Sequence, residues 1–330
     1  MARKQLEPED KTLLFPTIAV PADGVWKIPI HAWTFQFEKG SKRRKLLLKM
    51  LARSLRLGAA TARNERFRQR VWYFLVRNRK AVKLTCRMSG KDYFLKPSLK
   101  NGHFHDVLTV PRDMLDRGRQ SPWIDIRVGI ADYPIAAARI RFPKEEGISV
   151  ISDIDDTIKI THVGKRRRML AHTFVKPYEA VPGMATLYKE WVKKDPQRMF
   201  YYISASPWPL YPVLSEFLSV NGFPAGELRL KHFRWMDRSF FSLWQNPQKY
   251  KRPLLEEIFQ SFPKRKLILV GDTGEKDPET YGALARAHPN QIERILIHDI
   301  GDRHPGRFEK AFRNVPQTQW KVFFDPSELS

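Results

Sequence analysis

The sequence predicts an α/β chain: a doubly wound parallel sheet over residues 147–330, preceded by a β-sandwich over 1–146 that carries a basic helical hairpin at about 41–80. Three observations predict it. Apolar strand patterns near 148–152, 198–204, 266–270 and 292–297 alternate with helical patterns near 183–194, 207–220, 250–261 and 278–287, the rhythm of consecutive βαβ units. Upstream of Pro143-Lys-Glu-Glu-Gly147, a polar turn segment that marks the domain boundary, the strands alternate apolar with polar, as on sheets with one wet face. The composition, 330 residues with 42% hydrophobic and 12% aromatic, supplies cores for two domains and excludes a disordered chain.

In the first domain, residues 26–37 alternate loosely and 80–88 more strictly. Residues 93–110 read as a hairpin about Asn101-Gly102, and 123–130 and 135–142 add two strands. His103 and His105 share a strand face, a spacing that suits exposed hairpin histidines and, with a third ligand, a metal. Cys86 sits in an alternating strand and reads as a packing residue. As the one cysteine of the sequence it excludes an internal disulfide, which favours a reducing, cytoplasmic compartment. The charged N-terminus lacks a secretory apolar core, and no stretch reaches transmembrane length, so a soluble protein is expected.

The net charge of +24 is uneven: residues 1–146 carry 31 Lys and Arg against 14 acids, and 147–330 carry 28 against 21. From Lys39 to Lys80, 15 basic residues meet a single acid, Glu65. Leu46, Leu47, Met50, Ser54, Leu55 and Leu57 recur there near helical period, with Lys49, Arg53 and Arg56 between them. Phe67, Val71, Phe74 and Leu75 form a second helical pattern after Gly58. Such a pair can pack on the N-terminal domain, lie on an anionic membrane surface, or do both, because long basic side chains bury their stems and expose their heads. Nucleic acid is the other partner that such charge attracts, although no zinc-finger, RNA-recognition or helix-turn-helix pattern accompanies it.

The second domain opens on Ile148-Ser-Val-Ile-Ser-Asp153-Ile-Asp155-Asp156-Thr157, a strand pattern ending in three acids within four positions. Unpaired buried carboxylates are costly, so the pattern calls for a divalent cation at the strand's C-terminal end, where open α/β sheets bind ligands. Taken singly, the motif also reads as a strand followed by an acidic turn. A second apolar strand ends in Ser204-Ala-Ser206, hydroxyls that fit either a phosphate oxygen or a helix N-cap. A third ends in Gly271-Asp272, with Asp277-Pro278 five residues on as a helix start. Lys251 lies in the basic cluster Lys249-Tyr-Lys251-Arg252 before another helical stretch. The connection 158–182 is long for a plain βα loop and is a candidate lid.

This order resembles the haloacid-dehalogenase phosphatase superfamily, and within it the phosphatidate phosphatases of the actin-patch-protein type. The likeness rests on Asp153-Ile-Asp-Asp-Thr-Ile-Lys-Ile-Thr161, Ser204-Ala-Ser-Pro-Trp208 and Gly271-Asp-Thr-Gly-Glu-Lys-Asp-Pro-Glu-Thr-Tyr281, and extends to Asn221-Gly-Phe-Pro224, residues 226–230 and 251–263. Phe67-Arg-Gln-Arg70 and residues 98–104 resemble the family's N-terminal region more weakly. The chain departs from the family in the basic loop Lys165-Arg166-Arg167-Arg168, in His298 where an arginine is expected, and in Tyr250 where a histidine is expected.

The resemblance implies an enzyme that hydrolyses phosphatidate to diacylglycerol and phosphate with Mg²⁺. Its ligands are a carboxylate oxygen of Asp153, the backbone carbonyl of Asp155, and Asp272. It makes Asp153 the nucleophile, Asp155 the acid and base, and Ser204 and Lys251 the phosphoryl ligands. Asp277 then orients Lys251 or a metal-bound water, while Thr157 and Asp156 stabilise the loop. Ser206, Lys165, Arg166, Arg167 and Arg168 are further candidates for substrate contact, as are Arg229, Lys231 and Arg234. The partner implied is an anionic phospholipid at a membrane surface, engaged peripherally. A phosphatase of nucleic-acid ends and a membrane-recruited adaptor without activity are the competing readings.

Overall fold

The structure, a computed structural model, describes residues 9–37, 46, 48–50, 52–53, 59–116, 120–130, 133–232, 247–301 and 306–329. The expectations placed on Leu47, Ser54, Leu55, Arg56, Leu57 and Arg234 lie outside the described residues. The protein is a mixed α/β chain that divides into two compact units, Met1–Lys42 with Phe74–Lys144, and Arg43–Tyr73 with Glu145–Ser330.

In the first unit the long strand Val25–Gln36 pairs antiparallel with Asp10–Leu14, Val20–Ala22, Arg77–Asn78 and His103–Pro111. A second sheet runs in the order Thr17–Ile18, Tyr133–Arg141, Trp123–Ile130, Thr85–Met88, Lys91–Phe94. Strand alternation sends Trp26, Ile28, Ile30 and Ala32 from the first sheet, and Cys86, Met88, Ile126, Val128 and Ile140 from the second, into one apolar cluster. Burial there, with Asp92 adding to it, pushes the Cys86 thiol up to about 12, so it packs rather than reacts.

The hairpin expected about Asn101-Gly102 is corrected. The turn forms, with Gly102 at φ +77°, yet Lys91–Phe94 pairs with Thr85–Met88 whereas His103–Pro111 pairs with Val25–Gln36. The tight two-residue loop is Ser89-Gly90, both at positive φ, the conformation that matches strand twist. At His103 and His105, His31 is the unexpected neighbour: its Nε2 lies 2.9 Å from His103 Nδ1, and its ring stacks on that of His105.

The second unit contains α1 (Glu65–Trp72), β1 (Gly147–Asp153), α2 (Arg166–Phe174), α3 (Met184–Lys194), β2 (Met199–Pro207), α4 (Tyr211–Val220), β3 (Glu227–Lys231), α5 (Pro247–Ser261), β4 (Arg265–Asp272), α6 (Asp277–Ala287), β5 (Ile292–His298), α7 (Arg307–Ala311) and β6 (Trp320–Phe323). Its six strands are parallel, in the order β3-β2-β1-β4-β5-β6. The chain therefore builds outward from β1 on one side, then returns to β4 on the other. This leaves a switch point between β1 and β4, where the crevice beyond the strands' C-terminal ends accepts ligands. β3, β6 and α7 escaped the sequence reading because they are four or five residues long and partly exposed, without a continuous apolar run.

α1 is capped by Asn64, whose side chain accepts the Phe67 N–H at 3.0 Å. The expectation that the basic helices pack on the N-terminal domain does not hold for α1, which belongs to the second unit. There Phe67 meets Phe174, and Arg70 Nη1 donates to the carbonyls of His172 and Thr173 at the end of α2, at 3.2 and 2.9 Å. Cations suit the open carbonyls of a helix C-terminus, which is why this arginine sits on the buried face.

Arg265 fastens the start of the sheet. Fully buried, it donates to Ser149 Oγ at 2.8 Å and to the carbonyls of Glu146 at 2.7 Å and Ile148 at 2.6 Å. Arg265→Leu strands all three acceptors and should cost about 3 kcal/mol, read as a lower urea midpoint. A loss below about 0.5 kcal/mol, the range of an ordinary surface substitution, would refute this account of the residue. Among the described residues no helix is long and apolar enough to cross a membrane.

Candidate active site

Register assembles the site. Asp153, the last residue of β1, pairs with Ile203, so Ser204 stands one step beyond it on β2. On the other side Ser152 pairs with Val270, which sets Gly271 and Asp272 level with the end of β1. Lys251 arrives from α5 and Asp277 from the first turn of α6. A Cβ on Gly271 would stand 2.5 Å from Asp277 Oδ2, so only glycine lets α6 approach the strand this closely.

The centre is a buried ammonium among carboxylates. Lys251 Nζ lies 2.6 Å from Asp153 Oδ1, 2.7 Å from Glu275 Oε2 and 2.9 Å from Asp277 Oδ1. Asp272 Oδ1 accepts the N–H of Gly274 at 2.6 Å and of Glu275 at 3.2 Å. Its Oδ2 is 3.4 Å from the Thr157 hydroxyl. Burial pushes the Asp153 carboxyl well above the ordinary range; Lys251 pulls it down, while Asp277, Glu275 and Asp272 add repulsion. Burial, then Asp277 and Glu275, do the same to Asp272. For Lys251 burial opposes the charge, but Asp153, Asp277 and Glu275 outweigh it and hold the ammonium well above its usual value.

Asp153, Asp272 and Asp277 bring one carboxylate oxygen each within 4.8 Å of one another, a group able to hold a metal ion. Among the described residues, the buried oxygens Asp153 Oδ2 and Asp277 Oδ2 have no hydrogen-bond partner. Three carboxylates on one ammonium, with Asp272 beside them, also leave an excess of negative charge that a cation would offset.

Asp155 occupies a separate polar nest. Its Oδ1 is 2.7 Å from Lys159 Nζ and accepts the Thr161 hydroxyl at 2.8 Å; its Oδ2 accepts Ser204 at 2.8 Å and Ser206 at 3.3 Å. Although burial works against its charge, Lys159 and the hydroxyls of Thr161 and Ser204 hold the Asp155 carboxyl below its ordinary range. Asp156, at φ +56°, organises the following loop: its carboxylate accepts the N–H groups of Thr161, His162 and Val163 at 2.6, 2.7 and 2.6 Å. His298 Nδ1 donates to the Asp156 carbonyl at 2.7 Å, which gives the unexpected histidine a place in the same loop.

Asp153, Lys251, Asp272 and Asp277 therefore meet, with Thr157 against Asp272, and Ser204 and Ser206 meet Asp155. Lys165, Arg166, Arg167 and Arg168 are exposed at the start of α2, outside these contacts. Arg229 is engaged by Glu227 at 2.6 Å and Glu257 at 3.3 Å. Sequence reasoning missed Glu275, Lys159 and Thr161. Glu275 was in view between Asp272 and Asp277, and Ile158-Lys159-Ile160 carried a usable signal, a single charge between β-branched residues.

Residues 148–299 match the family model described as phosphatidate phosphatase APP1, catalytic domain. Phosphatidate phosphatase APP1 of Saccharomyces cerevisiae is 38% identical over 155 residues, 46% of this chain and 26% of that protein. An uncharacterized protein of Schizosaccharomyces pombe is 32% identical over 158 residues, 47% of this chain and 25% of its own. The match thus spans about a quarter of the length of these curated relatives. Within it the chain resembles phosphatidate phosphatases of the APP1 type, over the segment that builds the strand-end site.

Proposed function

We propose that the chain is a Mg²⁺-dependent phosphatase that hydrolyses phosphatidate to diacylglycerol and phosphate. The second unit would be a haloacid-dehalogenase-like domain and the first a β-sandwich. One observation carries the reading: Asp153 ends the central strand with one oxygen on Lys251, beside two further buried aspartates. Its other oxygen has no hydrogen-bond partner among the described residues. The likeness of residues 148–299 to a phosphatidate phosphatase catalytic domain supplies the substrate class.

The all-oxygen donor set suits a hard divalent cation such as Mg²⁺, held by Asp153, Asp272 and the Asp155 carbonyl, with Asp277 close enough to join them. When bound, Mg²⁺ would offset the charge of these acids and of a phosphate. Asp153 attacks phosphorus and becomes an aspartyl-phosphate as the bond to the glycerol oxygen breaks. Asp155, whose carboxyl is held below its ordinary range in the free protein, takes up a proton as the anionic substrate enters, gives it to that oxygen, and then takes one from the water that hydrolyses the intermediate. Ser204 and Lys251 supply hydrogen bonds and charge to the phosphoryl oxygens, and Asp277, 2.9 Å from Lys251, keeps the ammonium in position.

Access to a lipid substrate is supported by the surface of the same unit. Leu46, Met50 and Trp72 are 60%, 56% and 42% exposed, among exposed Lys49, Arg53, Arg66 and Arg68, a composition suited to peripheral contact with an anionic leaflet on the cytoplasmic side. The test is phosphate release from phosphatidate in mixed micelles, with Mg²⁺ or with chelator, beside release from a 5′-phosphorylated oligonucleotide. Mg²⁺-dependent turnover of the lipid alone is expected. Turnover of the oligonucleotide alone would move the substrate to nucleic-acid ends, and inactivity on both, with an aryl phosphate also inert, would favour the adaptor.

A further inference from the structure

Lys159 is 1% exposed and takes no part in the chemistry above, yet it is fixed at both ends. Its backbone N–H donates to Ile154 O at 2.9 Å, and its carbonyl accepts the Asp156 N–H at 2.7 Å. Its ammonium lies 2.7 Å from Asp155 Oδ1 and 2.5 Å from the Thr161 hydroxyl, which is itself 2.8 Å from the same carboxylate oxygen. The Lys159 ammonium also stands 4.7 Å from the centre of the Tyr178 ring, and the Arg70 guanidinium of α1 lies 3.9 Å from it. Tyr178 OH and Arg70 Nη1 both donate to the Thr173 carbonyl, at 3.0 and 2.9 Å.

We propose that Lys159 is a positioning residue for Asp155, held in place by the Arg70–Tyr178 stack; the inference rests on the reading of Asp155 as acid and base. A carboxyl that must meet first a leaving oxygen and then a water has to keep one orientation through both steps. In the free protein Ser204 and Ser206 hold one of its oxygens, Lys159 and Thr161 the other. Once Ser204 turns its hydroxyl to a phosphoryl oxygen, Ser206 remains on the first side, and without the ammonium the second side has only a hydroxyl. Arg70 lies outside the matched segment 148–299, so α1 contributes to the acid's position from a part of the chain that the family match does not cover. The plainer account is that Lys159 is a buried ion pair that serves only the fold.

Leaving-group dependence separates the two. Dioctanoyl phosphatidate expels an alkoxide that needs a proton, whereas p-nitrophenyl phosphate expels a phenolate that does not. With Lys159→Met, the single-turnover rate of leaving-group release should fall about 100-fold for the lipid while release of p-nitrophenolate stays within about threefold, because proton transfer contributes about 10² to 10⁴ and only the lipid needs it in this first step. Hydrolysis of the aspartyl-phosphate, common to both substrates, should slow equally for both. Tyr178→Leu should show the same split at about fivefold, the scale of one cation–π contact, and Tyr178→Phe should show none. Equal losses in the rate of leaving-group release from both substrates in a variant with wild-type circular dichroism, or no loss on either, would overturn the proposal. Should Lys159→Met not fold, Tyr178→Leu decides by the same criterion. Wild-type activity that survives Asp153→Asn on both substrates would instead overturn the phosphatase reading, and the role of Lys159 with it.

Discussion

Asp153→Asn should lower phosphate release by at least about 10⁴-fold, the scale seen when a catalytic nucleophile is removed. The amide keeps the shape of the side chain and loses the charge that, in the proposed mechanism, attacks phosphorus and helps to hold a cation. The same substitution should leave the metal-free protein's melting temperature within a few degrees of wild type. Burial already pushes this carboxyl well above its ordinary range, and Asp277, Glu275 and Asp272 repel its charge, so a neutral group there relieves repulsion. The lost contact is one of three on Lys251, which retains Glu275 at 2.7 Å and Asp277 at 2.9 Å. Activity and stability should therefore separate, which distinguishes a functional carboxylate from one that merely pairs a lysine. A variant that keeps a tenth of the wild-type turnover would mean that another group is the nucleophile. One that melts far below wild type would mean that the Asp153–Lys251 pair is chiefly structural.

The strands that carry the site were legible because each joins a continuous apolar run to a chemical group: three acids after Ile151, hydroxyls after Ile203, glycine and aspartate after Val270. Parallel strands buried on both faces leave this pattern, and polar groups at their ends have few other reasons to be there. What was not legible is mostly choice of partner. The periodicity of residues 67–75 says which face of a helix is apolar but not what covers it, and the expectation of an N-terminal resting place gave way to α2. Asn101-Gly102 announced a turn correctly, but a turn does not decide whether its flanks pair with each other. Lys159 was missed for a related reason. A lysine in a loop is ordinarily a solvated charge, and only the tertiary arrangement shows Asp155, Thr161 and Tyr178 around it.

Lys251→Met should be the most destabilising of the single substitutions in the site, because it removes the ammonium that Asp153, Glu275 and Asp277 share. Breaking a buried ion pair from one side costs about 3–5 kcal/mol, and turnover should fall with it. The loss has a sign in pH. The folded pKa of Lys251 is raised, so its contribution is complete below the ordinary lysine value and vanishes only as pH climbs through the folded one. Across pH 5 to 8 the lysine of the wild type does not titrate. Asp153, Asp272 and Glu275 are raised as well, so folding binds protons at these groups, and stability falls as pH rises from the ordinary carboxylate range through their folded values. Without the ammonium that fall should steepen, and the variant should lose more relative to wild type at pH 8 than at pH 5.5. On the proposed reading Mg²⁺ binds the ionised acids, so it should restore stability to the variant, and more of it at the higher pH. Urea midpoints at both pH values, with chelator and with Mg²⁺, give the comparison. A loss equal at the two pH values and unmoved by Mg²⁺ would mean that Lys251 matters for its packed methylenes, and that the acids around it do not form a cation site.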